Sequence, residues 1–126
     1  TEALNDIAKE VSERTEPFYV LENAEIYQKL YYKDIYYIIV QKNYTYFHAE
    51  QGVYSVRLSL KKVYQELSDH KSFVFADQNC IVNLRHVLKL DRDKQMAVMR
   101  DHEEIWINDS RKKSFEQAIL DYWRRH

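Results

Sequence analysis

From Phe18 onward the chain is written in short runs of Tyr, Ile, Val and Phe separated by two or three polar residues, and this rhythm restricts its fold more than any other feature. "FYVLE", "EIYQKLYY", "DIYYIIV" and "YTYFHAE" follow one another, with breaks at Asn23-Ala24, Lys33-Asp34 and Gln41-Lys42-Asn43. "GVYSVRL" comes next, after Gln51-Gly52, which reads as a hairpin turn. Rings and β-branched side chains suit a pleated, half-buried surface, so these runs read as strands. Eleven Tyr and five Phe in 126 residues reinforce that preference.

The period changes in three places. Leu4, Ile7, Ala8 and Val11 recur at i, i+3, i+4 and i+7, so residues 2–14 read as a short amphipathic helix that Pro17 ends. Ser59 reads as the N-cap of a helix over 60–68, with Leu60, Val63, Tyr64 and Leu67 on one face. Short strands follow at 80–82, 86–90, 95–100 and 104–108, the last three separated by turns at Asp91-Arg92-Asp93-Lys94 and Asp101-His102-Glu103. A final helix starts near Asp109-Ser110 and carries Phe115, Ala118, Ile119 and Tyr122 at helical spacing. The expected class is mainly β with short flanking helices and a C-terminal helix. Residues 1–16 read as a linker or N-terminal helix and 17–126 as one compact domain.

Composition excludes several functions. One Gly and one Pro leave no room for a Gly-rich phosphate loop or a dinucleotide fingerprint. A single Cys forms no internal disulfide, fits a reducing compartment, and reads as a buried structural thiol. No apolar run approaches the roughly 20 residues that cross a bilayer, and no secretory signal opens the chain, so no membrane and a cytoplasmic site are expected. The opening Thr suggests a piece of something longer. The five His residues are scattered without metal-ligand spacing, and Asp91 and Asp93 read as turn residues bonding local backbone. No catalytic constellation, metal site or cofactor is therefore expected.

The formal net charge is −1, against a generic basic nucleic-acid binder, but it is unevenly spread. Residues 1–32 hold seven acids against three bases, which leaves 16 bases against 13 acids in the remainder. An acidic lead and a mildly basic body permit a polyanion partner. The cations sit where helix rules disfavour them. A helix N-terminus prefers acids, yet one helix opens with Lys61 and Lys62 and the last with Arg111, Lys112 and Lys113. Such a start reads either as a solvated charged turn or as an anion site, for which DNA phosphate is the obvious ligand. Gln41-Lys42-Asn43 is a polar loop between aromatic strands, a good place to reach a base edge, though such a loop alone is more often just a turn. The Tyr-rich strands could stack single-stranded bases, but without a Gly/aromatic motif they read as sheet packing.

The order "DIYYIIVQKNYTYFH", "VRLSLKKVYQEL", "FVFADQNCIVNLRHVLKL", "IWINDSRKKSFEQAI" resembles the LytTR DNA-binding domain over roughly residues 25–122. The parts that carry the resemblance are Ile35-x-Tyr37-Ile38, Ser59-Leu60, Phe73 with Ile81-Val82-Asn83, and Ile107 with Ser110-Arg111. It implies an elongated stack of small antiparallel sheets whose loops, rather than a recognition helix, enter the major groove. Asn83 is then the family-type Asn that closes a "VN" strand by bonding local backbone, and Asp77-Gln78-Asn79 falls where a DNA-reading loop lies. The resemblance implies contacts from Lys42 or Asn43, Gln78 and Arg111, with Asn79 in the same loop and Lys112, Lys113, Lys61 and Lys62 on phosphate. It further implies the output domain of a two-component response regulator (quorum-sensing systems among them). Such a domain binds direct-repeat promoter sites on double-stranded DNA as a dimer and follows an N-terminal receiver. Phe75 and Asp77 depart from the family, which usually carries a basic residue or His there. The rival reading is a protein-interaction module of the same fold with weak or no DNA binding.

Overall fold

The computed structural model describes residues 16–67 and 71–126, and the helix expected over 2–14 lies outside them. Ten strands occur among the described residues, and every pairing is antiparallel. β1 (Phe18–Glu22) pairs with β2 (Tyr27–Tyr31) in a two-stranded ribbon. β3 (Ile35–Gln41), β4 (Tyr44–Ala49), β5 (Gly52–Val56), β6 (Phe73–Asp77) and β7 (Cys80–Asn83) form a five-stranded sheet in the order β5-β4-β3-β7-β6. β8 (Val87–Asp91), β9 (Met96–Met99) and β10 (Glu104–Trp106) make a third sheet with β9 in the middle. Two helices complete the chain: α1 (Leu60–Glu66), between β5 and β6, and α2 (Lys112–Arg125) at the C-terminus.

The five-stranded sheet is covered on both faces, which explains the apolar run at its centre. Cys80 and Val82 face one core with Tyr37 and Ala76, while Ile81 faces the other with Ile38, Phe47 and Phe73. A strand buried on both faces reads as a continuous hydrophobic run rather than as an alternation. The ribbon (Tyr19, Leu21, Leu30) and α1 (Leu60, Val63), with Leu67 just after it, close the first core. The third sheet (Ala97, Met99, Ile105) and α2 (Phe115, Ile119) close the second. Small antiparallel sheets are thus stacked in layers with the C-terminal helix on one side, as the sequence leads one to expect.

Asn83 ends the apolar run because it is a buried connector. Its Nδ2 donates to the carbonyls of Tyr32 and Ile35, both at 2.9 Å, and its Oδ1 accepts from the Arg85 N–H at 3.2 Å. The expectation of a purely local role is therefore half right. The side chain also holds the β2–β3 link, some fifty residues earlier, against the end of β7.

Several boundaries differ from the sequence reading. β6 is a strand the periodicity does not announce, since it is a five-residue edge strand following residues with no clear alternation. The β4–β5 turn is Glu50-Gln51, with Ala49 opposite Gly52, one residue earlier than Gln51-Gly52 suggests. Gly52 carries a φ of 154° as the first residue of its strand. The run 25–32 forms a strand only from Tyr27, because Asn23 Oδ1 accepts the N–H groups of Glu25 and Ile26 and bends the chain there.

Candidate nucleic-acid interface

Pairing register places four polar segments at one end of the central sheet. Gln41 lies opposite Tyr44, so Lys42-Asn43 is a two-residue hairpin turn, and Lys42 takes a left-handed φ of 57°. Gln78-Asn79 turns between β6 and β7 in the same way. The two turns are neighbours, because Ile39 pairs with Cys80 and the Val40 N–H donates to the Asn79 carbonyl at 2.9 Å. β5 ends at the same place, Val56 lying opposite Thr45, and Thr45 Oγ1 donates to the Leu58 carbonyl just ahead of Ser59. The fourth segment arrives through Asn108, whose N–H donates to the Ala76 carbonyl at 2.8 Å.

This arrangement brings together Lys42, Asn43, Gln78, Asn79, Lys61, Lys62, Arg111, Lys112 and Lys113. All are exposed except Arg111 and Lys112, which are partly covered. The two helix starts differ in kind. α1 spans seven residues, and Ser59 Oγ accepts the Lys62 N–H at 3.1 Å, so Lys61 and Lys62 contribute side-chain charge and little helix dipole. α2 spans fourteen residues with no side-chain cap and no acid in its first turn, but it continues directly from a 3-10 turn in which the Lys112 N–H donates to the Asp109 carbonyl, so its start offers chiefly the charge of two lysines. Arg111 is not inside that first turn, as its sequence position suggests. It closes a short 3-10 turn, Asp109–Arg111, capped by Asn108 Oδ1, which accepts from the Ser110 N–H at 2.9 Å.

Two acids at this end, Asp77 and Asp109, are hydrogen-bonded to neighbouring groups, while the exposed Glu103 and Glu104 line the same cleft as Gln41 and Asn79. Asp77 Oδ1 accepts the Asn79 N–H at 2.8 Å, so the aspartate that departs from the family pattern shapes its own hairpin. Asp109 Oδ1 accepts from Gln95 Nε2 at 2.6 Å, and that same amide donates to the Ile107 carbonyl at 2.7 Å. Asp91 Oδ1 accepts the Lys94 N–H at 3.0 Å, an interaction that holds its carboxyl below the usual carboxylate range. It is the backbone-bonding turn residue the sequence suggests.

Three further residues lie at this end that the sequence reading does not count among the contacts. Arg57 follows β5 and sits over the Tyr44 ring at 5.5 Å; a cation between a strand and an N-cap Ser is its one signal. Phe75, on β6, lies under the Arg111 guanidinium at 5.1 Å. Trp106 is 47% exposed and lines a cleft of about 410 Å³ together with Gln41, Asp77 and Asn79.

The chemistry elsewhere is structural. Cys80 is buried, and burial pushes its thiol up to about 12, which keeps it protonated and unreactive. Tyr19, Tyr32 and Tyr37 are buried in the two cores. Among the described residues no group of three or more His, Cys, Asp or Glu could hold a metal ion. Among them, too, no helix is long and apolar enough to cross a membrane.

A family model described as the LytTr DNA-binding domain matches residues 26–120. Among solved structures, the chain is similar to the LytTr DNA-binding domain of a protein described as a methyl-accepting/DNA response regulator from Bacillus cereus. The two share 19% identity and superpose with a TM-score of 0.71, covering 82% of this chain and 97% of that one. At that identity the likeness speaks for the fold. No curated protein matches the chain.

Proposed function

Because this chain belongs to the LytTR DNA-binding domain family, we propose that the end of the sheet where its turns and helix starts converge is the surface that grips a duplex. The chain is then the output domain of a bacterial transcriptional response regulator, working in the cytoplasm and controlled by a receiver domain. Lys42-Asn43 and Gln78-Asn79 enter the major groove as two adjacent hairpin tips. Gln78 and Asn43 carry amides able to bond adenine bidentately, and Arg111 carries the fork that suits guanine. Lys61, Lys62, Lys112 and Lys113 set the position of the domain through phosphate. Direct-repeat half-sites, each taken by one protomer of a dimer, are the expected target.

The observation that carries this reading is the convergence itself. Residues from four separate segments, spanning positions 42 to 113, reach one end of the central sheet, and the two acids set among them, Asp77 and Asp109, are bonded to the Asn79 N–H and the Gln95 amide. The rival, a protein-interaction module, is favoured by Asp77, which departs from the family pattern, and is permitted by the net charge of −1. The deciding experiment is selection of bound sites from a random pool of duplex DNA, followed by titration of Arg111→Ala on the selected site. Enrichment of a defined sequence is expected, with Arg111→Ala weakening its binding by about 1–3 kcal/mol. A pool that stays random overturns the proposal.

A further inference from the structure

Arg111 does not reach toward the proposed duplex from open solvent; it lies against a ring. Its guanidinium carbon stands 5.1 Å from the centroid of Phe75, and the Phe75 ring meets the Tyr64 ring of α1 at 4.9 Å with a 53° tilt. The backbone on both sides of this contact is fixed. Phe75 pairs with Ile81 in the β6–β7 ladder. On the other side, the Arg111 N–H donates to the Asn108 carbonyl, the Asn108 N–H donates to the Ala76 carbonyl, and Ser114 Oγ donates to the Arg111 carbonyl at 3.0 Å. Phe75 is thus the middle ring of a Tyr64–Phe75–Arg111 cluster on the edge strand β6, between a ring of α1 and the residue that precedes α2.

We infer that Phe75 is a positioning residue for Arg111 and, through it, sets the base discrimination of the domain. The inference rests on the DNA-binding reading above. An Arg side chain left to itself loses rotamer freedom when it docks on a base edge. A guanidinium laid over an aromatic face gives up one face of its plane and keeps its N–H edge free to donate, so the fork is held ready before DNA arrives. The ring quadrupole does this, not apolar bulk. Leucine at position 75 keeps most of the packing against Tyr64 and Ile81 but presents no π face to the cation; tyrosine keeps the face.

The test uses duplexes selected by the wild-type protein from a random DNA pool, each compared with a scrambled duplex of the same composition. The variants are Phe75→Leu, Phe75→Tyr and Arg111→Lys, each first checked for an unchanged melting transition. Phe75→Leu is expected to lower the ratio of selected-site to scrambled-site affinity about two- to fivefold, the range of an exposed cation–π contact. Its dependence on salt should match wild type, because no phosphate contact is lost. Phe75→Tyr restores the ratio. Arg111→Lys lowers it at least as far, and adding Phe75→Leu to that background lowers it no further. An arm without DNA reads the geometry alone: the Arg111 side-chain Nε–H resonance is shifted by the ring current in wild type and Phe75→Tyr, and the shift is lost in Phe75→Leu. A selected site that Phe75→Leu discriminates as well as wild type overturns this inference and leaves the DNA-binding reading standing. A pool that yields no site removes both.

Discussion

At the residue scale, the polar side chains placed among apolar ones do the most to define this molecule. Asn83 is 1% exposed and satisfies two carbonyls and one N–H at once. Truncation leaves buried carbonyls without donors, so Asn83→Ala is expected to lose about 2–4 kcal/mol in urea denaturation. A loss under about 1 kcal/mol would show that the β2–β3 link does not need this connector. His86 is the second such residue. Arg100 Nε donates to its Nδ1 at 3.0 Å, so Nε2 carries the proton and donates to the Lys33 carbonyl. Burial comes first among the causes that hold its pKa below 6.5; the Lys33 carbonyl opposes it, Arg100 and Arg85 add to it, and Asp34 opposes it. The unfolded chain therefore takes up a proton that the folded protein refuses. Stability is unaffected above pH about 6.5 and falls as pH drops below it. His86→Gln should flatten the fall between about pH 6.5 and 5. Equal acid sensitivity in that variant would assign the effect elsewhere, with His48, also lowered by burial, the next residue to replace.

At the element scale, the two kinds of protrusion are expected to contribute differently to binding. The start of α2 offers the side-chain charges of Lys112 and Lys113, which are groups for phosphate. Replacing both lysines with Gln should reduce the slope of log affinity against log salt by about 2 and leave the preferred sequence unchanged. The Gln78-Asn79 hairpin offers amides, which are groups for bases. Gln78→Ala should relax preference at one base position, costing about 1–3 kcal/mol on the best site, with the salt slope unchanged. If instead Gln78→Ala moved the slope and the lysine pair moved the sequence preference, the two roles would have to be exchanged. Elements also separate what could be read in advance from what could not. Strands such as Ile35–Gln41 and Tyr44–Ala49 announce themselves, because residue type and turn chemistry are local properties. β6 and the Asp109–Arg111 turn do not, because an edge strand and a 3-10 turn exist by virtue of the partner they pair with or lean on.

At the scale of the whole molecule, charge placement outweighs net charge. Lys42, Arg57, Lys61, Lys62, Arg111, Lys112 and Lys113 all lie toward one end of a protein whose formal charge is −1. With about five of them on phosphates, a fourfold rise in salt should weaken DNA binding by a few hundredfold. A flat salt response measured by fluorescence anisotropy would favour the protein-interaction reading.

The amino-acid sequence by itself determined the mainly β class, the strand-rich body, both described helices and the kinds of residue available to meet a polyanion. All of these follow from interactions within a few residues: side-chain period, turn preference and capping. It also carried the order of motifs that marks the family. Tertiary structure alone decided that Lys42, Gln78 and Arg111 share one end, that Asp77 and Asp109 are bonded within that end, and that Phe75 lies beneath Arg111. Those facts depend on strand register and on hydrogen bonds such as Val40 to Asn79 and Asn108 to Ala76, which join residues some thirty or more positions apart. No local pattern encodes such a pairing, because its free energy exists only once the sheet has closed.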